Sequence, residues 1–250
     1  MNTKNSFSST FVFEFITKSI LLLALWYSLR PYKGIDNDAR MYLVQTLKRL
    51  GKSSFDDDLF LKFGSQDKFS IFSRLFAPLV DILGPSTAHA VGAFLGQALW
   101  IGSALLLCRV LFKDDRLFKL SALAAMLMVP FYGWGEIKYS EEFLTPRLFA
   151  ESFVLLAIAL YLKKKPAYVA LCMACAFALH PIMALPGFAL IFFMVARTHR
   201  WSIAIAAAAV ALCLVLAFAG VDPFARLLVQ LDPEWYAIVQ ARSPQLFIQE

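Results

Sequence analysis

The chain has 250 residues, 60% of them hydrophobic and 17% charged, with a mean hydropathy of +0.64. A soluble domain carries about 25% charged residues, so this balance excludes an ordinary soluble fold and points to a single polytopic membrane domain. The formal net charge of +6 gives no case for nucleic-acid binding, because the basic residues stand in short turns between apolar segments, where membrane topology accounts for them.

Residues 1–10 form a polar tail rich in Ser, Thr and Asn. Residues 11–29 are the first predicted span, close to the ~20 residues a bilayer requires. No small-residue cleavage site follows Leu29, so this helix reads as a retained anchor and not a cleaved signal. Glu14 and Lys18 stand acid-first at helical spacing, and near a helix start both snorkel to the interface. Residues 30–86 read as a long exoplasmic loop with two amphipathic helices. In 39–50, Leu43, Val44, Leu47 and Leu50 share one face; in 69–83, Phe69, Phe72, Phe76, Val80 and Leu83 do the same. Neither stretch is long and apolar enough to span, and both suit the membrane interface. Asp56-Asp57-Asp58 between them reads as a solvated loop. Residues 87–112 are the second span, with Gly92 and Gly96 in a GxxxG packing motif. The third is 117–134. The fourth is 146–162, with Thr145 as N-cap and Pro146 at the first helical position. Residues 166–196 are apolar for roughly 30 residues, about 45 Å of helix, too long for one crossing. Pro181 and Pro186-Gly187 interrupt them. The prediction is two short helices, 166–181 and 184–197, turning between Leu179 and Gly187. Residues 201–221 are the seventh span and 222–250 an exoplasmic loop. The chain stops there with no closing helix, so a piece of a longer protein is expected. The expected fold class is all-α, a polytopic transmembrane helix bundle with amphipathic interfacial helices in the first exoplasmic loop.

Orientation follows from positive charge. The turns after spans two, four and six carry Arg109/Lys113/Arg116/Lys119, Lys163–Lys165 and Arg197/Arg200. Short basic turns face the cytoplasm, which puts the N-terminus inside. Cys108, Cys172, Cys175 and Cys213 all lie in apolar segments. The CxxC spacing of Cys172 and Cys175 therefore reads as small apolar helix residues, with no disulfide framework.

On this topology several polar residues fall at one depth: Asp36, Asp38 and Arg40 after span one, Asp67 before the second amphipathic helix, Glu141, Glu142 and Arg147 at the head of span four, and His180 at the turn after span five. Polar residues within a membrane bundle are costly and are usually paired or functional. Each also has a plainer role. Asp38 and Asp67 suit helix caps, Glu141 and Glu142 suit solvent, and His180 suits a broken backbone beside Pro181. Asp36 has no capping duty. Arg147 opposes the helix dipole unless Glu151, one turn on, or an anionic ligand compensates; a helix N-terminus with an Arg is a phosphate seat. No Walker motif, GxGxxG, HExxH or Ser-His-Asp signature is present.

The first helix, the acidic loop that follows and its amphipathic helix resemble the polytopic glycosyltransferases of the GT-C type. The resemblance is carried by Asp36-Asn37-Asp38-Ala39-Arg40-Met41-Tyr42, by Thr145-Pro146-Arg147 and by Ala178-Leu179-His180-Pro181. It implies transfer of a sugar from a polyprenyl-phosphate donor at the exoplasmic face of a bacterial inner membrane. Asp36 or Asp38 would serve as base, and Arg40, Arg147, His180 and Asp67 would hold the substrate. Two carboxylates one residue apart could instead hold a divalent metal, although some enzymes of the type use none. The alternative is a non-catalytic subunit or a transporter of surface-polysaccharide assembly. Transport of charged solutes calls for polar residues near the midplane, and spans two, three and seven carry little beyond Gln97 and serines.

Overall fold

The computed structural model describes residues 17, 20–21, 23–52, 57–64, 66–127, 131–132, 137–221, 224–230 and 232–242, and these are almost entirely helical. In chain order they form α1 (helical at 17, 20–21 and 23–29), α2 (Asp38–Arg49), α3 (Phe72–Leu83), α4 (Pro85–Leu111), α5 (Asp115–Leu127), a hairpin of β1 (Phe131–Tyr132) and β2 (Ile137–Lys138), α6 (Pro146–Leu162), α7 (Pro166–Leu179), α8 (Pro181–Thr198), α9 (Trp201–Phe218) and α10 (Pro233–Arg242). Much of the first predicted span lies outside the described residues, as do Glu14, Lys18, Asp56 and residues 243–250. The chain divides into two compact units, one of residues 1–132 and 137–188 and the other of 133–136 and 189–250.

Among the described residues, three helices are long and apolar enough to cross a membrane: α4, α8 and α9. The helices at the other expected spans are shorter, with 13 residues in α5, 17 in α6 and 14 in α7. The third predicted span is corrected. Its helix stops at Leu127, and residues 131–132 are a strand. The sequence of that predicted span carries Pro130, Gly133 and Gly135, residue types that disfavour one helix running on to 134. The predicted loop 222–250 is corrected as well, because it contains α10. Asp232 Oδ1 accepts the Trp235 N–H at 2.9 Å, a cap, and Pro233 takes the first helical position.

In the first unit, the glycines of α4 set how its helices meet. A Cβ on Gly92 would lie 2.6 Å from Leu144, and one on Gly96 would lie 2.5 Å from Leu148. Only hydrogen at these positions lets α4 approach the head of α6. The register climbs along both helices together, so α4 and α6 run parallel. Trp26 of α1, fully buried, packs on Trp100 of α4 at 5.3 Å between ring centroids, with Ile101, Ala104 and Leu148 completing that core. The amphipathic helix α3 buries Phe72, Phe76 and Val80 and hands over to α4 at Gly84, whose φ of 76° suits glycine. His89 of α4 is fully buried against the Phe76 ring, 4.8 Å away.

The α6–α7 turn is Lys163–Lys165. Lys164 takes φ 57°, and Lys165 N–H returns to Leu160 O at 3.0 Å. The apolar stretch 166–196 breaks into two helices at His180, which has φ −154°. Met173 Cε lies 3.1 Å from where a Gly187 Cβ would stand. A continuous helix would hold those positions roughly 20 Å apart, so the chain folds back. In the second unit, α9 exposes Ile203, Ile205, Val210, Leu212, Val215 and Phe218; a helix apolar on every side is suited to lipid.

Candidate functional site

α2 begins one residue earlier than the amphipathic pattern suggests. Asn37 occupies the N-cap with φ 46° and makes no side-chain cap bond, and Asp38 sits in the first turn. An acid there complements the helix dipole, but its carboxylate is not spent on capping. It reaches Arg147, with Oδ2 2.7 Å from the guanidinium. The other arm of Arg147 meets Glu141 Oε1 at 2.6 Å.

Glu141 corrects the expectation of a solvent-facing acid. It is 3% exposed, and its second oxygen accepts the Thr145 hydroxyl. Burial pushes its carboxyl up from the ordinary range, and Arg147 and Thr145 pull it back. Thr145 makes no side-chain cap bond for α6, because its hydroxyl is turned to Glu141. The dipole conflict at Arg147 is thus answered by Asp38 and Glu141.

Gln97 anchors this cluster to α4. It donates to Glu141 O at 2.9 Å and accepts the Trp26 indole N–H at 3.3 Å. Glu142 next door pairs with Lys33 and, at 3.7 Å, with Lys138. Tyr42, one turn along α2 from Asp38, donates to Gln66 Oε1 at 2.6 Å. Burial pushes its phenol up to about 12, so it stays a donor.

The other predicted site residues lie around this centre at different removes. The Nδ1 of His180 accepts the Met183 N–H at 3.2 Å. That bond is the backbone duty its place beside Pro181 suggested. Asp36 pairs with Arg40 at 2.8 Å, an exposed i,i+4 pair. Asp67 does not cap α3, whose N-cap is Ile71. It binds Arg49 at 2.6 Å and accepts the Ser73 hydroxyl, tying α2 to α3.

The chain matches none of the protein-family models, curated proteins or solved structures with which it was compared.

The function therefore rests on the geometry of these side chains. Among the described residues no three His, Cys, Asp or Glu side chains come together as a metal site, and Asp36 and Asp38 each face a cation of their own. Sequence reading named Glu141 but gave it to solvent, and it noted Gln97 only as a rare polar residue within the spans. The available signal was Gln97 itself, a carboxamide deep in an apolar span, which must find polar partners.

Proposed function

We propose that this chain works as a membrane-embedded glycosyltransferase of the GT-C type, using a polyprenyl-phosphate sugar at the exoplasmic face of a bacterial inner membrane, with its N-terminus in the cytoplasm. The observation that carries the reading is the Asp38–Arg147 contact. It joins an acid from the loop after α1 to a cation at the head of α6, two segments far apart in sequence. The parallel run of α4 and α6 supports it, since both helices then start on the face that bears the pair.

In this reaction the acceptor hydroxyl attacks the anomeric carbon and loses its proton. The bond from that carbon to the donor phosphate breaks, and the lipid phosphate leaves with the electron pair. Asp36 or Asp38 takes the proton, and Arg147 stabilises the leaving phosphate. Arg147 holds two carboxylates at rest, so the phosphate takes the place of Asp38 on the guanidinium fork. Asp38, released from its partner, becomes free to act as the base. His180 is assigned to the substrate approach by the resemblance alone.

A second reading is a non-catalytic membrane subunit of polysaccharide assembly. It is favoured by the pairing of every candidate acid: Asp36 with Arg40, Asp38 with Arg147 and Asp67 with Arg49. The test is sugar transfer by the full chain in lipid nanodiscs, given a panel of polyprenyl-phosphate sugars. Loss of the base in Asp36→Asn or Asp38→Asn is expected to lower the rate by about 10²–10⁴, with membrane insertion verified for each. Near wild-type transfer by both variants removes the proposed base, and no transfer from any donor favours the subunit.

A further inference from the structure

Glu151 stands one turn beyond Arg147 on α6 and plays no part in the ion-pair cluster. Its Oε2 accepts the Ser140 N–H at 3.1 Å. Its Oε1 is buried with no hydrogen-bond partner. Arg147, one turn back on the helix, is committed to Asp38 and Glu141, and no ion pair forms on Glu151 itself among the described residues. A carboxyl in such a desolvated place is costly in its charged form unless it takes up a proton or a cation arrives to meet it.

It also lines a cavity of about 370 Å³ with Trp100, Tyr139, Val154, Leu155, Met183 and Pro186. Apart from Glu151 and the Tyr139 hydroxyl these walls are apolar. An acid beside an indole and a phenol ring is the combination that receives an ammonium group, by charge pairing and by attraction to the aromatic quadrupole.

We propose that this cavity binds a primary ammonium group carried on a small apolar body. The ammonium sits against Glu151, Trp100 and Tyr139, and the apolar body lies along Val154, Leu155 and Met183. A primary amine is preferred to a quaternary one because the partnerless Oε1 needs a donated N–H, which a quaternary nitrogen lacks. A bare metal ion is disfavoured by the walls, which bring no further carboxylate, His or Cys to Glu151 among the described residues.

The assignment does not rest on sugar transfer, and its test reads binding alone. The full chain in nanodiscs is titrated with butylammonium and with butan-1-ol, a neutral probe of nearly the same shape, by saturation-transfer NMR, with empty nanodiscs as the reference for partition into lipid. Saturable binding of butylammonium, at least tenfold tighter than butan-1-ol, is expected. Glu151→Gln should weaken butylammonium at least tenfold and leave butan-1-ol unchanged, and Trp100→Phe should weaken it severalfold. Equal affinity for the two probes, no saturable binding, or an unaltered affinity in Glu151→Gln overturns the proposal. The comparison of probes needs no variant, so it decides the question even where Glu151→Gln fails to insert.

Discussion

Arg147 is the residue on which the polar centre depends. It is 19% exposed and divides its guanidinium between Asp38 and Glu141. Removing it leaves Glu141, almost wholly buried, without a cation, and breaking a buried pair by deleting one partner costs about 3–5 kcal/mol. Arg147→Ala is expected to lose that much stability in mixed-detergent unfolding. Adding Glu141→Gln, which removes the stranded charge, should restore a measurable part of it. A loss below about 1 kcal/mol would mean that water reaches the pair and screens it. The importance of Arg147 was readable in the sequence, because a cation in a helix first turn demands an explanation. Its partners were not. Which acid answers an Arg depends on contacts between distant segments, and spacing along the helix pointed to Glu151, one turn on.

At the scale of elements, the GxxxG of α4 decides how near the heads of α4 and α6 approach. Gly96→Ala would put a Cβ 2.5 Å from Leu148 Cδ2 and 2.8 Å from its Cγ, and Leu148 is fully buried with no room to yield. The expected cost is about 1–3 kcal/mol, the range for overpacking a filled core. Gly102 lies on the same helix with nothing within 4 Å of its notional Cβ. Gly102→Ala should therefore gain about 1 kcal/mol from helix propensity. Opposite shifts in melting temperature from the same substitution would separate contact from propensity; equal shifts would discard the packing account. Helix starts at Pro146 and Pro166 were legible because proline announces them. The break at His180 was legible because Pro181 follows it and the apolar stretch outruns a bilayer. The early end of α5 and the presence of α10 were missed for opposite reasons. Apolarity carried the third span past Pro130, and polarity hid the Asp232-Pro233-Glu234 helix start.

For the whole molecule, the parallel register of α4 and α6 bears on topology. Two parallel neighbours require the chain between them to return to the starting side, and only α5 and the segment through the hairpin are available for that return. The 13 residues of α5 cover about 20 Å as helix. Single cysteines at Asp57 and Lys164, in a background lacking the four native ones, should therefore label from opposite sides of the membrane. Labelling of both from one side would reject the orientation. The loop that carries Asp38 has a further dependence, on the far end of α7. Ser70 Oγ donates to Leu179 O at 2.6 Å across 109 residues, and Ile71 N–H donates to Ala178 O at 2.9 Å. The carbonyls left open by the break at His180 are closed by a segment made much earlier. At about 5–20 residues per second, the ribosome delivers α7 roughly 5–20 s after Ser70. Throughout that interval the loop has crossed or met the bilayer without its fastening. A stalled nascent chain ending before α7 should thus expose residues 57–71 to protease, and one extended past Pro181 should protect them.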